Sequence, residues 1–201
     1  IPTRHHAGLT DPLEVGKLLL DLDNFTGFFQ THCALRLLPL TFVRATELRR
    51  AEWKEIDFED KLWRIPAERM KMRSPHYVPL SEQALAIFRA LHGVTGDGKY
   101  IFPNTRGNGN VISPSTMLNA LRFMGYRKDM MCIHGFRTMA STLLNELGYN
   151  RDWIERQLAH QERDGVRDAY NCAQSLPQRR KMMQEYADYL DTLREKARQA
   201  L

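Results

Sequence analysis

Apolar residues recur at helical spacing along most of this chain. After Pro12, leucines at positions 13, 18, 19 and 22 supply an apolar face before Gly27 ends the segment, a pattern typical of an amphipathic helix with proline in its first turn. Similar spacing predicts further helices over about 28–42, 44–51, 83–93, 114–124 and 134–147, around Trp153, and over 182–197. We therefore expect a mainly α-helical chain.

The pattern changes to period two between about residues 53 and 80. Three short runs have the apolar and β-branched character of strands: Trp53, Ile56 and Phe58, then Leu62, Trp63 and Ile65, and then Tyr77, Val78 and Leu80. Glu59 and Asp60 predict a turn between the first two runs. Short strands joined by tight connections favour antiparallel pairing. The predicted fold class is α+β: mainly α, with one small antiparallel three-stranded β-sheet inserted among the helices.

The composition fits one compact domain. With 201 residues, 43% hydrophobic and 26% charged, the chain can bury one good core or at most two small ones. The 29 lysines and arginines exceed the 24 acidic residues and give a net charge of +5, which is compatible with a phosphate-rich partner but is weak support alone.

The cysteines and the apolar runs bear on the compartment. Cys33, Cys132 and Cys172 are odd in number and form no CxxC, so neither a disulfide framework nor a zinc ribbon is predicted. No apolar run approaches the roughly 20 residues of a membrane-spanning helix. We expect a soluble protein of the bacterial cytoplasm, without a membrane partner. Because the chain starts at Ile1 and not at methionine, we also expect a fragment that lacks upstream domains.

The helix that starts at His134 carries candidate chemistry. His134 and Arg137 lie at its N-terminus, away from its apolar stripe, where backbone N–H groups and the helix dipole favour an anion. Arg137 can donate two bonds to phosphate oxygens, and His134 can exchange a proton. An isolated HxxR is common by chance, so the alternative is a capping histidine beside a solvated arginine.

Two more cations stand in informative settings. Arg44 follows three apolar-biased positions and precedes Glu47 by three residues, which predicts either a local ion pair or a partly buried arginine that needs an anion. Lys71 falls in the predicted turn between the second and third strands, where Arg69, Lys71 and Arg73 alternate. That turn is either a basic solvated hairpin or a flexible tip that delivers Lys71 to a DNA strand.

His160 and Tyr170 complete the set. His160 ends the helix around Trp153, and Tyr170 follows ten residues later. Each alone is typical of a packing residue with a satisfied polar tip. Four separated groups of cations around one tyrosine can instead stabilise a phosphoryl transition state without a metal ion, which points to DNA cleaved by a tyrosine.

Together these segments resemble the catalytic domain of the tyrosine recombinase (phage integrase) family over about residues 12–190. Five motifs occur in the family's order: Arg-x-x-Glu-Leu at 44–48, a turn lysine at Lys71, His-x-x-Arg at 134–137, Leu-x-His at 158–160, and Tyr170. The stretches 68–72 and 153–160 are similar to those of prophage and genomic-island integrases. Phe136 replaces the usual leucine and Ala159 the usual glycine, and neither change removes a polar group.

The resemblance implies a role for each matched residue. Tyr170 would be the nucleophile, Arg44 and Arg137 would clamp the phosphate, and Lys71 would protonate the 5′-hydroxyl leaving group. His134 and His160 would support proton transfer. The expected product is a 3′-phosphotyrosyl enzyme that another 5′-hydroxyl can resolve, so neither ATP nor a metal cofactor is expected.

The resemblance also implies partners and a domain organisation. We expect double-stranded DNA attachment sites, accessory DNA-bending or excision factors, and a homotetramer on DNA formed through the C-terminal helix. The chain would be one C-terminal catalytic domain, residues 1–201, with a core at about 12–176 and the helix at about 177–201. N-terminal DNA-binding domains would be missing. The apolar stripe of that helix, residues 182–197, can either pack on its own domain or dock on a neighbouring protomer. The family resemblance favours docking.

Other classes of protein remain as alternatives. A type IB topoisomerase shares the chemistry but relaxes supercoils without exchanging partners. A DNA-binding relative that has lost catalysis is another alternative, against which the presence of all six polar residues argues. A zinc enzyme that uses His5, His6, His134 and His160 is the least favoured, because no HxxxH or cluster of carboxylates accompanies them.

Overall fold

The computed structural model describes residues 7–71, 73–104, 110–160 and 175–200. In these ranges the chain forms a mainly helical fold with one small sheet. The helices are α1 Pro12–Asp23, α2 Phe29–Thr41, α3 Ala45–Arg49, α4 Glu82–Thr95, α5 Thr116–Phe123, α6 Gly135–Glu146, α7 Arg151–Gln157 and α8 Leu176–Gln199. The strands are β1 Ile56–Asp57, β2 Leu62–Ile65 and β3 His76–Pro79. The predicted fold class is confirmed.

Local sequence signals account for several helix boundaries. The Asp11 carboxylate accepts the backbone N–H groups of Leu13 and Glu14, so α1 begins at Pro12. Ser81 caps α4 in the same way through the N–H of Ala84. Helix α5 begins at Thr116, two residues later than the Ser113-Pro114 pair predicts, and α1 ends at Asp23, before Gly27.

The sheet has the order β1-β2-β3 with antiparallel pairing throughout. Trp63 of β2 lies opposite Ile56 on one side and Val78 on the other. Trp53 does not belong to a strand, in contrast to the prediction: it starts a 3-10 turn, Trp53–Glu55, and its indole N–H donates to the Thr95 carbonyl at 2.8 Å. The β2–β3 connection, residues 66–75, carries Lys71.

The C-terminal helix α8 packs along α1 of the same chain. Its apolar stripe, Met182, Tyr186, Leu190, Leu193 and Ala197, is buried. Gly16 of α1 permits the close contact, because a Cβ there would lie 2.3 Å from the Leu193 carbonyl oxygen. The stripe thus packs on its own domain in this structure, which is one of the two arrangements that the sequence allows.

The single core joins the sheet to the inner faces of the helices. Helix α6 buries Phe136, Met139, Ala140, Leu143 and Leu144, which recur at helical spacing. Leu147 continues that spacing and lies within the predicted helix 134–147, but it follows the end of α6 and is exposed. No helix in the described ranges is both long enough and apolar enough to cross a membrane.

Candidate functional site

Arg137 points inward from the first turn of α6. Arg137 is only 4% exposed, so the alternative of a solvated surface charge is wrong. Its Nη1 donates to the Phe42 carbonyl at 2.7 Å and its Nη2 to the Leu158 carbonyl at 2.5 Å. These carbonyls follow the C-terminal ends of α2 and α7, where free carbonyl groups favour a cation. The guanidinium is therefore held in place by backbone from two distant parts of the chain.

Arg44, at the N-terminus of α3, donates three hydrogen bonds to two groups, the Glu47 carboxylate and the Ala159 carbonyl. The Glu47 carboxylate accepts its Nη1 at 2.8 Å and its backbone N–H at 2.9 Å. Its Nη2 donates to the Ala159 carbonyl at 3.1 Å. The Arg44 side chain is 26% exposed and that of Glu47 is 3% exposed. Both sequence predictions hold together here, since the ion pair is local and the arginine is partly buried.

The two arginines, which we call the arginine pair, bind carbonyls of consecutive residues, Leu158 and Ala159. The backbone at Ala159 is left-handed with φ of 50°, and Phe42 is likewise left-handed with φ of 38°. Residues with a side chain rarely adopt this conformation, which costs about 1–2 kcal/mol. Glycine avoids that cost, which explains physically why it is usual where this chain has Ala159.

The electrostatics of the arginine pair favour an anion. Burial lowers the pKa of Arg137 to about 10, and the positive charge of Arg44 lowers it further, while Glu47 and Glu155 oppose the shift. Arg137 remains charged at neutral pH. Burial also lowers the pKa of the His76 ring, on β3, to about 3, with contributions from Arg179, Arg137 and Arg44. His76 is therefore neutral at pH 7, among the positive charges of these three arginines.

His134 and His160 line one cavity with Arg137. The cavity has a volume of about 180 Å³, and its other lining residues are Thr138, Ser141, Thr142 and Leu158. His134 occupies the N-cap position of α6, as the capping alternative predicts, and is exposed; its side chain makes no capping hydrogen bond to that helix. His160 Nδ1 lies 2.7 Å from Glu155 Oε2, which orients the ring and allows Nε2 to serve a ligand.

The two remaining predicted site residues are Lys71 and Tyr170. Lys71 is exposed in the β2–β3 connection and does not line the cavity. Tyr170 lies outside the described residues. The structure thus brings Arg44, Arg137, His134 and His160 to the ends of α2, α6 and α7, and it places Lys71 on a separate loop.

The sequence does not predict that Arg69 is partly buried or that Arg179 is buried. Arg69 lies in the turn that the sequence predicts as either a solvated basic hairpin or a flexible tip, but its side chain is only 16% exposed and contacts Glu55. Arg179 stands beside Arg180 and Lys181 in a basic run next to the α8 stripe, but it is buried, and its Nη2 donates to Gln157 Oε1 at 2.6 Å and to the Tyr77 carbonyl at 2.5 Å. Both lie among other basic residues, so charge patterning alone gives no signal that separates them from solvated neighbours.

The zinc alternative has no ligand set in the described part of the chain. There, no three histidine, cysteine, aspartate or glutamate side chains lie close enough together to hold a metal ion. His5 and His6 lie outside the described residues.

The architecture is that of solved tyrosine recombinases. It matches the integrase from mycobacterium phage Brujita with a TM-score of 0.65 at 13% identity, over 91% of this chain and 58% of that one. It matches lambda integrase residues 75–356, solved as a dimer bound to a COC′ core site, with a TM-score of 0.60 at 18% identity, over 81% of this chain and 60% of that one. The fold is therefore that of a tyrosine recombinase catalytic domain.

The sequence places the chain more narrowly: it belongs to the phage integrase family, which it matches over residues 10–175. It is 44% identical to the integrase of Enterobacteria phage P4, over 96% of this chain and 47% of that protein. It is 46% identical to the prophage integrase IntZ of Escherichia coli K12, over 83% of this chain and 41% of that protein. The chain spans about half the length of the curated relatives that it matches. The predicted family is confirmed.

Proposed function

We propose that this chain is the catalytic domain of a site-specific DNA recombinase that integrates or excises a prophage or genomic island. The observation that carries the proposal is the arginine pair, anchored on the consecutive carbonyls of Leu158 and Ala159 beside a cavity that His134 and His160 line. Fixed guanidinium groups suit the planar, two-oxygen recognition of a phosphodiester.

The proposed reaction begins with attack of the Tyr170 oxygen on a DNA phosphorus atom. The bond from phosphorus to O5′ breaks, and O5′ takes a proton from Lys71. The arginine pair stabilises the charge that develops on the nonbridging oxygens, as a metal ion does elsewhere. The product is a 3′-phosphotyrosyl enzyme, which a 5′-hydroxyl from another strand resolves by the reverse steps.

In this mechanism the cations must offset the free-energy cost of forming the tyrosine phenolate. An unperturbed tyrosine has a pKa of about 10, so at pH 7 only about 1 in 1,000 is phenolate, a deficit of roughly 4 kcal/mol. Positive charge around the phosphate offsets that deficit, and His134 or His160 can accept the phenolic proton. His160 suits this role because Glu155 fixes its ring.

The proposed partners are double-stranded DNA attachment sites, together with accessory DNA-bending or excision factors. Solved relatives of this fold, including lambda integrase on its core site and the XerH recombinase on difH, are complexes with DNA, which supports the proposal. We place the protein in the bacterial cytoplasm, as a catalytic domain that follows N-terminal DNA-binding domains. We further propose a homotetramer on DNA. Because the apolar stripe of α8 is buried against α1, α8 would contact a neighbour through its exposed charged face.

The test is a recombination assay with the natural full-length protein and two plasmids that carry the core sequences flanking its genetic element. In EDTA, wild type should produce recombinant plasmid, and Tyr170→Phe and Arg137→Ala should produce none. Relaxation of supercoils without recombinants would favour the type IB topoisomerase alternative. Binding of both sites without cleavage would favour a non-catalytic relative.

A further inference from the structure

Arg69 connects the loop that carries Lys71 to the residue that holds Arg44. It ends a 3-10 turn, Ala67–Arg69, just after β2. Its Nη1 lies 2.7 Å and 2.9 Å from the two carboxylate oxygens of Glu55 and also donates to the Arg50 carbonyl. Its Nη2 donates to the Glu47 carbonyl at 2.6 Å. One side chain therefore ties the β2–β3 connection to α3 and to the turn before β1.

The carboxylate of Glu55, which accepts hydrogen bonds from Arg69, is itself held in position by other contacts. Glu55 is buried, and its Oε2 accepts the indole N–H of Trp63 at 2.9 Å, a side chain at the centre of the sheet. Burial raises the pKa of Glu55, while the Trp63 hydrogen bond and the charge of Arg69 oppose the rise. A charge-assisted contact in such a setting holds its partners more rigidly than an exposed ion pair does.

Glu47 serves both arginines at once. Its carboxylate binds Arg44, and its backbone carbonyl binds Arg69. Met70, which lies between Arg69 and Lys71 in the sequence, is also buried. The chain is therefore held in place up to the residue before Lys71. Two residues span at most about 7 Å, which confines the Lys71 Cα to that distance from the Arg69 Cα.

We propose that Arg69 is a positioning residue, which sets the location of Lys71 relative to the arginine pair. The inference rests on the proposed function, in which Lys71 donates the proton to O5′ as the phosphorus–oxygen bond breaks. Release of Arg69 would displace this acid while Arg44 and Arg137 keep their own anchors. The defect should therefore depend on the leaving group.

A sulfur-substituted substrate distinguishes this role from a general structural one. When a 5′-bridging sulfur replaces O5′, the leaving group is a thiolate, whose conjugate acid has a pKa of about 8.5, against about 16 for an oxygen leaving group. The thiolate departs without a proton. A variant that only misplaces the acid should cleave this substrate at the wild-type rate.

The experiment measures single-turnover cleavage by the full-length protein on nicked duplexes that carry the core sequence with either oxygen or sulfur at the scissile 5′ position. Arg69→Lys keeps the charge but cannot reach Glu55 and the Glu47 carbonyl together. Glu55→Gln weakens the same contact from the other side. Lys71→Ala is the reference for loss of the acid. Arg64→Lys is the matched control, because Arg64 is an exposed arginine of β2 that pairs with Asp57 and Asp60.

We expect Arg69→Lys and Glu55→Gln to cleave the oxygen substrate about 100-fold more slowly, the effect of a displacement near 1 Å. On the sulfur substrate both should match wild type, as Lys71→Ala should, and Arg64→Lys should match wild type on both substrates. Equal slowing on the two substrates, or no slowing, would overturn the inference. Should Arg69→Lys fail to unfold cooperatively in urea, Glu55→Gln carries the same comparison.

The inference and the proposed function can fail separately. A wild-type protein that cleaves neither substrate contradicts the proposed function. Amide hydrogen exchange around Lys71 then tests Arg69 without any reaction: exchange should be faster in Arg69→Lys than in wild type or Arg64→Lys. Unchanged exchange would contradict the positioning role.

Discussion

Replacement of Glu47 tests the local support of the arginine pair. The carboxylate accepts two hydrogen bonds from Arg44, one from its backbone and one from its guanidinium. Glu47→Ala removes both, and within the described ranges it leaves the Arg44 charge with the Ala159 carbonyl as its one remaining acceptor. Glu47→Gln keeps an oxygen that can accept one of the two bonds but removes the negative charge.

The expected loss of stability follows from these contacts. A hydrogen bond to a charged group contributes about 1.5–3 kcal/mol, and a helix N-terminal acceptor about 1 kcal/mol. The Arg44 side chain is 26% exposed, so water replaces part of the lost bond and the lower value applies. We expect Glu47→Ala to lower the free energy of unfolding by about 2.5 kcal/mol and Glu47→Gln by roughly half as much.

Equilibrium unfolding in urea at pH 7 measures this difference. The control is Glu59→Ala, an exposed carboxylate in the β1–β2 turn, which should lie within about 0.5 kcal/mol of wild type. A value for Glu47→Ala as small as that of the control would refute the view that Glu47 holds Arg44 in the folded chain.

Three more substitutions test the buried surroundings of the site. Burial keeps the pKa of His76 near 3 when folded against about 6.5 when unfolded, so below pH 6.5 only the unfolded chain takes up this proton. Stability should fall by up to about 1.4 kcal/mol per pH unit toward pH 4, and His76→Gln should flatten that slope in urea titrations at several pH values. Ala159→Gly should raise the free energy of unfolding by about 0.5–1 kcal/mol, because it relieves the left-handed conformation at a smaller entropic cost; a loss of stability would contradict the strain. Tyr186→Phe should gain about 1 kcal/mol and raise Tm by about 2–4 °C in calorimetry, because the buried hydroxyl has no hydrogen-bond partner among the residues that the structure describes, whereas destabilisation would indicate one.

The fold was largely predictable because it depends on local periodicity. The spacing of apolar residues predicts the helices within a few residues, and period two predicts the strands around Trp63 and Val78. Trp53 was misassigned because its indole bonds the Thr95 carbonyl, a contact between residues 42 positions apart. Such long-range contacts override local pattern, and the sequence alone does not display them.

The candidate site was predictable in its members but not in its construction. Helical spacing of apolar residues predicts that His134 and Arg137 lie at a helix N-terminus, and the spacing of Arg44 and Glu47 allows an ion pair, both of which the structure contains. The inward direction of Arg137 depends on carbonyls that α2 and α7 supply, and that of Arg69 depends on a buried Glu55. Only the tertiary packing brings these acceptors to the arginines.

The most direct test of the proposed chemistry is a trapped covalent intermediate. The full-length protein is incubated in EDTA with a nicked duplex that carries the core sequence, so that the cleaved fragment diffuses away, and the product is separated under denaturing conditions and mapped by mass spectrometry. We predict a DNA adduct on Tyr170 through a 3′-phosphate, which Tyr170→Phe does not form. An adduct on a different residue, or a folded protein that binds the duplex and forms no adduct, would contradict tyrosine-mediated cleavage by this domain.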